Sequence, residues 1–184
     1  ELQSFFNRDI ATFLNSKGKR LLGWDEIVEG GLSKDGTMMW WRNWAPTMRD
    51  IAAKHGNDMI ITPCFEYYFD AKHEATPFEK VYQYEPIPEN FTKEQAKHIL
   101  GIQANLWSEM IPNFKRLQFQ AFPRFLALAE TSWTSKEDKN YDDFQKRMNL
   151  QYKRLEALNI QYHIPPVTGL KDKVAFLDKV TIEL

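Results

Sequence analysis

Apolar positions along this chain follow two alternating rhythms. At the start, Leu2, Phe5, Phe6, Ile10, Phe13 and Leu14 recur at three- and four-residue spacing, which predicts an amphipathic helix stopped near Gly18. Short dense runs then cover residues 19–24, 37–41, 58–62 and 98–106. Such runs, apolar on both faces and bounded by turn residues, predict strands covered on both sides. Between the second and third, Pro46 opens a helix with Met48, Ile51 and Ala52 on one face and a stop at His55-Gly56. Residues 64–91 read as a long irregular, proline-punctuated segment, and Thr92-Lys93-Glu94-Gln95 as a capping box. Pro123 fits the first turn of a helix that packs Phe125, Leu126, Leu128 and Ala129, and a last amphipathic helix carries Phe144, Met148, Tyr152 and Leu155. Strands separated by helices or long crossovers predict an α/β fold, a parallel sheet covered by helices. In such sheets ligands meet the carboxyl ends of the strands.

The termini add a second expectation. The chain opens inside a helix, with no initiating Met and no targeting signal, and near its other end Val180, Ile182 and Leu184 alternate with polar residues as in a strand. Both features predict a piece of a longer protein. Composition then narrows the function classes. With 184 residues, 43% of them hydrophobic, the chain can build one core and is not a disordered segment. Twenty-four basic residues against 25 acidic ones give a net charge of −1, so nothing electrostatic points to nucleic acid or an anionic membrane. No apolar run approaches the roughly 20 residues of a membrane span. Cys64 is the sole cysteine, which excludes an internal disulfide and a cysteine zinc cluster. His55, His73, His98 and His163 show no metal-ligand spacing, and no metal or cofactor is expected.

Aromatic content changes the picture. It reaches 14%, with six tryptophans, and the predicted strand ends gather it beside acidic residues. Trp24-Asp25-Glu26 follows the first run, Trp41-Arg42 the second, Tyr68-Phe69-Asp70 the third and Trp107-Ser108-Glu109 the fourth. Indole faces stack on the C–H faces of sugar rings, and carboxylates accept hydroxyl hydrogen bonds. Adjacent residues on a strand point to opposite faces, so Trp40 and Trp41 cannot share one lining. Trp40, Trp44 and Trp133 are expected in the core. Asp25 and Glu26, read as neighbours on extended chain, diverge and do not form an acid with its helper; they are expected to be structural or to support the site from behind.

Five segments carry a resemblance: Gly23-Trp24-Asp25-Glu26-Ile27, Met39-Trp40-Trp41-Arg42, Tyr67-Tyr68-Phe69-Asp70, Gln103-Ala104-Asn105-Leu106-Trp107-Ser108-Glu109, and Phe122-Pro123-Arg124 through Ala129-Glu130 and Trp133. In this order and spacing they resemble the family 20 glycoside hydrolases, the β-N-acetylhexosaminidases. The resemblance implies that residues 1–165 are the C-terminal half, about strands five to eight, of a TIM (β/α)8 barrel, and that residues 166–184 start a C-terminal β extension. It implies substrate-assisted hydrolysis of N-acetylhexosamine-terminated glycans, the amide oxygen of the substrate serving as nucleophile.

Residue by residue, Trp24, Trp41 and Trp107 resemble the tryptophans of the sugar pocket, and Tyr68 the tyrosine that orients the acetamido group. Asp70 and Glu109 resemble the acceptors of sugar hydroxyls; the alternative for them is surface ion pairing to Lys72 or Lys115. The family's acidic pair lies in a His-x-Gly-Gly-Asp-Glu motif that these 184 residues do not contain. The chain alone is therefore expected to be inactive and, with open sheet edges, to self-associate. The resemblance suggests a secreted, periplasmic or lysosomal protein. A non-catalytic carbohydrate-binding or structural module is the competing reading.

Overall fold

The computed structural model describes residues 1–164; the expected β extension and its strand lie outside the described residues. In chain order the elements are α1 (Leu2–Ser16), β1 (Leu22–Trp24), β2 (Thr37–Trp40), α2 (Pro46–His55), β3 (Met59–Ile61), α3 (Cys64–Tyr67), α4 (Phe78–Gln83), α5 (Lys93–Ala96), β4 (Ile99–Ile102), α6 (Phe114–Ala121), α7 (Arg124–Trp133) and α8 (Tyr141–Ala157). The four strands form one sheet in the order β1-β2-β3-β4, every neighbouring pair parallel. The four predicted runs are these four strands.

Register sets the two faces of the sheet. Gly23 pairs with Met38, and Met38 with Met59. Met38 and Met59 carry their row into a core with Trp40, Ile61, Val28, Ala52 and Ala53, closed by α2 and partly buried Met48, Ile99 and Ile102. The intervening residues, Leu22, Trp24, Met39 and Ile60, belong to the other face. Alternation thus sends Trp40 into the core, 3% exposed, and Trp41 toward the opposite side. A second core holds Tyr67, Phe69, Val81, Tyr82, Ala127, Phe144 and Met148, and joins α4, α7 and α8.

Local chemistry explains the element ends. Gly56 closes α2 in the left-handed conformation, φ 74°, where a Cβ is costly. Thr92 and Gln95 make the reciprocal capping box at α5. Asn113 and Asn140 cap α6 and α8 through their side chains. Five expectations need correction. On α7 it is Ala127, not Ala129, that packs: Ala127 is buried and Ala129 is exposed. The segment 64–91 is not wholly irregular, since it contains α3 and α4. Ile51 is exposed, and Ala52 and Ala53 make the buried face of α2 instead. Trp44 and Trp133 are not core: they are 58% and 91% exposed. Asp25 and Glu26 lie on a 3-10 turn, Asp25–Val28, rather than on extended chain.

Candidate active site

The carboxyl ends of all four strands converge on one pocket of about 480 Å³, lined by Trp24, Glu26, Trp41, Tyr68, Asp70, Trp107, Ser108 and Glu109. All six residues singled out in the sequence are brought together here. Trp24 ends β1, and Trp41 lies one residue beyond β2. Tyr68 follows α3 directly. Its backbone is held in register by a parallel bridge to Asn105, with Phe69 N–H donating to Asn105 O at 2.7 Å and Asn105 N–H to Tyr67 O at 2.8 Å. That bridge carries the β3–β4 pairing past the named strands and sets Tyr68 beside Trp107.

The aromatic rings make a continuous wall. Trp24 meets Trp107 at 5.8 Å between centroids and Trp41 at 6.5 Å. Trp41 stacks on Tyr68 at 6.0 Å with 18° between planes, and Tyr68 meets Trp107 at 6.0 Å. Alternation separates the two adjacent tyrosines: Tyr67 is fully buried in the second core, while Tyr68 faces the pocket. Burial pushes the Tyr68 phenol well above its ordinary pKa, with a smaller contribution from Cys64, so the hydroxyl stays protonated and can donate.

Asp70 and Glu109 stand across this wall. Neither forms an ion pair with Lys72 or Lys115 among the described residues, and Asp70 Oδ1 is buried there without a hydrogen-bond partner. The loop that carries Asp70 is gripped from behind. Gln120 Nε2 donates to the Asp70 and Ala71 carbonyls at 2.8 and 3.1 Å. The fully buried Arg124 donates to the carbonyls of Phe69, Ala71, Thr76 and Gln120.

The second acidic pair supports the wall at Trp41. Asp25 is fully buried; its Oδ2 accepts the Trp41 and Arg42 backbone N–H groups at 3.2 and 3.1 Å, and Oδ1 accepts Arg42 Nε. Arg42 also donates to Glu29 at 2.7 Å. Glu26 accepts the Trp41 indole N–H, with its two oxygens 3.2 and 3.0 Å away. Burial pushes the Glu26 carboxyl up, but the Trp41 indole, the Glu26 backbone N–H and Arg42 outweigh it and leave the pKa below the usual value. Sequence reasoning missed Glu26 and Ser108 as pocket residues and Gln120 as a loop anchor. A 3-10 turn directly after Trp24 would have brought Glu26 back to the pocket, but alternation alone does not show where β1 ends. Among the described residues no cluster of three or more metal-ligating side chains occurs, and no helix is long and apolar enough to cross a membrane.

Residues 1–136 match the glycosyl hydrolase family 20 catalytic domain. The chain belongs to that family. It is 38% identical to a β-hexosaminidase of Porphyromonas gingivalis over 99% of this chain and 25% of that protein. It is 33% identical to a β-hexosaminidase of Vibrio furnissii over 74% of this chain and 24% of that one. The chain thus spans about a quarter of the length of these relatives. The crystal structure of a family 20 exo-β-N-acetylglucosaminidase from Vibrio harveyi in complex with N-acetylglucosamine superposes with a TM-score of 0.78 and 32% identity, over 89% of this chain and 28% of that chain. The parallel strands and their helices are accordingly part of a family 20 TIM barrel.

Proposed function

We propose that the protein to which this chain belongs is an exo-acting β-N-acetylhexosaminidase, removing terminal β-linked N-acetylglucosamine or N-acetylgalactosamine by substrate-assisted, retaining catalysis. Residues 1–165 supply about strands five to eight of its barrel. The observation that carries this reading is the pocket itself. Three indoles, one protonated phenol and three carboxylates meet at the carboxyl ends of four parallel strands, in a chain of family 20.

Each group has a task in that reaction. The indoles of Trp24, Trp41 and Trp107 enclose a sugar ring and its acetamido methyl, burying apolar surface against C–H groups. Tyr68 donates its hydroxyl proton in a hydrogen bond to the acetamido oxygen and aims that oxygen at the anomeric carbon. The oxygen–carbon bond forms as the glycosidic bond breaks, giving an oxazolinium ion, and the leaving oxygen takes a proton from a general acid. Water then opens the oxazolinium and restores the acetamide, with retention at the anomeric carbon. Asp70 and Glu109 accept sugar hydroxyl hydrogen bonds and fix the hexose. The general acid and its aspartate partner are assigned to the Asp-Glu pair of the family motif, which this sequence does not contain.

The test is a comparison of two chromogenic substrates with the full-length protein. An aryl N-acetyl-β-glucosaminide should turn over and release the β-anomer first, whereas the aryl β-glucoside, which lacks the acetamido nucleophile, should not. Equal turnover of both would refute substrate assistance. Binding of N-acetylglucosamine without hydrolysis of either substrate would favour the non-catalytic module.

A further inference from the structure

We propose that Glu26 is a positioning residue that sets the acyl-group selectivity of the pocket through Trp41. This inference deepens the hexosaminidase reading and rests on it. Glu26 meets the pocket only because β1 ends at Trp24 and the chain turns at once into the 3-10 helix Asp25–Val28. From there its carboxylate accepts the Trp41 indole N–H, 3.2 and 3.0 Å from its two oxygens. The same indole stacks on Tyr68 and meets Trp24 and Trp44 edge-on, at 6.5 and 5.2 Å.

An indole on a strand end has freedom about two side-chain torsions. Asp25 fixes the Trp41 backbone through its N–H; Glu26 fixes the far end of the side chain. Held at both ends, the ring is one rigid wall of the pocket, and the parallel stack passes that constraint to the Tyr68 ring. The oxygen that accepts the indole N–H, rather than the charge it carries, is what favours one ring orientation. Glu26 does not reach the reacting atoms in this scheme. Its effect is on how tightly the apolar box closes around the acyl group and how well the phenol is aimed.

The consequence is a selectivity that a structural role alone would leave unmoved. With full-length protein, kcat/KM is measured for aryl β-glucosaminides carrying N-acetyl and N-butanoyl groups, for wild type, Glu26→Gln and Glu26→Ala. Loss of the carboxylate should relax the box, so Glu26→Ala should reduce the preference for N-acetyl by about tenfold, the scale of one lost hydrogen bond or one mis-sized apolar contact. Glu26→Gln retains a carbonyl oxygen that accepts the indole N–H and should keep most of the preference. The proposal is overturned if Glu26→Ala keeps the preference within about twofold, or if Glu26→Gln loses as much as Glu26→Ala, since the charge rather than the hydrogen bond would then be acting.

A second readout does not require turnover. The indole N–H resonance of Trp41, assigned by Trp41→Phe in protein labelled with ¹⁵N-tryptophan, should move with pH as Glu26 titrates. It should lose that dependence in Glu26→Ala. If wild type hydrolyses neither substrate, the hexosaminidase reading fails, and the resonance still decides whether Glu26 holds Trp41. An indole signal unaffected by Glu26→Ala overturns the positioning role outright.

Discussion

Tyr67 and Tyr68 are sequence neighbours with opposite fates: Tyr67 is fully buried, edge-on to Tyr84 at 5.1 Å, and Tyr68 stands in the pocket in parallel contact with Trp41. The separation follows from the strand-like path after α3 and the bridge to Asn105. It also separates two phenotypes. In the full-length protein, Tyr68→Phe should lower kcat more than it raises KM, because in the proposed mechanism its hydrogen bond strengthens as the amide oxygen becomes nucleophilic. Tyr67→Phe should leave kcat unchanged. The Tyr67 hydroxyl is buried without a partner among the described residues, so its removal should cost less than about 1 kcal/mol of stability. Steady-state kinetics and thermal unfolding of the two variants check both halves.

Arg124 makes a different kind of claim. It is fully buried, sits 4.6 Å from the Phe69 ring centroid and satisfies main-chain carbonyls, with no carboxylate in hydrogen-bond contact among the described residues. Burial lowers its pKa to about 10, against a favourable contribution from Asp70, so it remains charged near neutral pH. Arg124→Met should strand those carbonyls and loosen the Asp70 loop, at a cost of roughly 3–5 kcal/mol. Denaturant unfolding should show the loss. Arg124→Lys, with one donor centre in place of a fork, should recover little of it.

Much of this fold and site is legible in the amino-acid sequence. The four apolar runs marked the four strands because each is covered on at least one face, and the strand-end residues marked the pocket because parallel strands all point one way. Other features were hidden for identifiable reasons. Helix α6 buries only Gln120 and Ala121, with Leu117 at 36% exposed, so its apolar stripe is too thin to stand out. Trp44 and Trp133 read as core because large aromatics usually are, yet Trp44 packs at the pocket rim against Trp41 and Phe65. The Glu26–Trp41 contact depends on where β1 stops and on the β1–β2 register, and neither is encoded in local periodicity.

His73 ties the segment after α8 to the α6–α7 junction. Its ring stacks on His163 at 3.8 Å with 7° between planes, and its Nε2 lies 2.9 Å from the Phe119 carbonyl. Burial, then Arg124, pushes its pKa down to about 4, with His163 adding to the effect and the Phe119 carbonyl and Glu74 opposing it. The same forces lower His163, with Glu74 opposing. A depressed histidine pKa means that the unfolded chain binds the proton first as pH falls. Its stabilising contribution is therefore complete above about pH 6.5 and declines as pH drops toward about 4. The melting temperature of wild type should fall across that window, and His73→Gln should flatten the fall. An unchanged slope in the variant would remove His73 as the cause.

The last prediction concerns the 184-residue chain by itself: it should not hydrolyse an aryl N-acetylglucosaminide, and it should self-associate. Loss of a general acid typically forfeits on the order of 10²–10⁴ in rate, and the proposed acid and its partner are both outside this sequence. The described sheet also has two open edges, β1 and β4, with Leu22 and Leu100 on them 49% and 55% exposed. Helix α1 presents Leu2, Phe5, Phe6 and Phe13, each 60% exposed or more. Unpaired strand edges beside apolar surface of this kind favour pairing with another copy. Light scattering of the purified chain should give a mass above that of a monomer, and addition of the preceding part of the barrel should restore both a monomeric unit and turnover. Clear hydrolysis by the isolated chain would move the general acid into this sequence and make Glu109 and Glu26, which line the pocket with Asp70, the candidates for it. A stable monomer would instead show that the edges and α1 are covered within the chain itself.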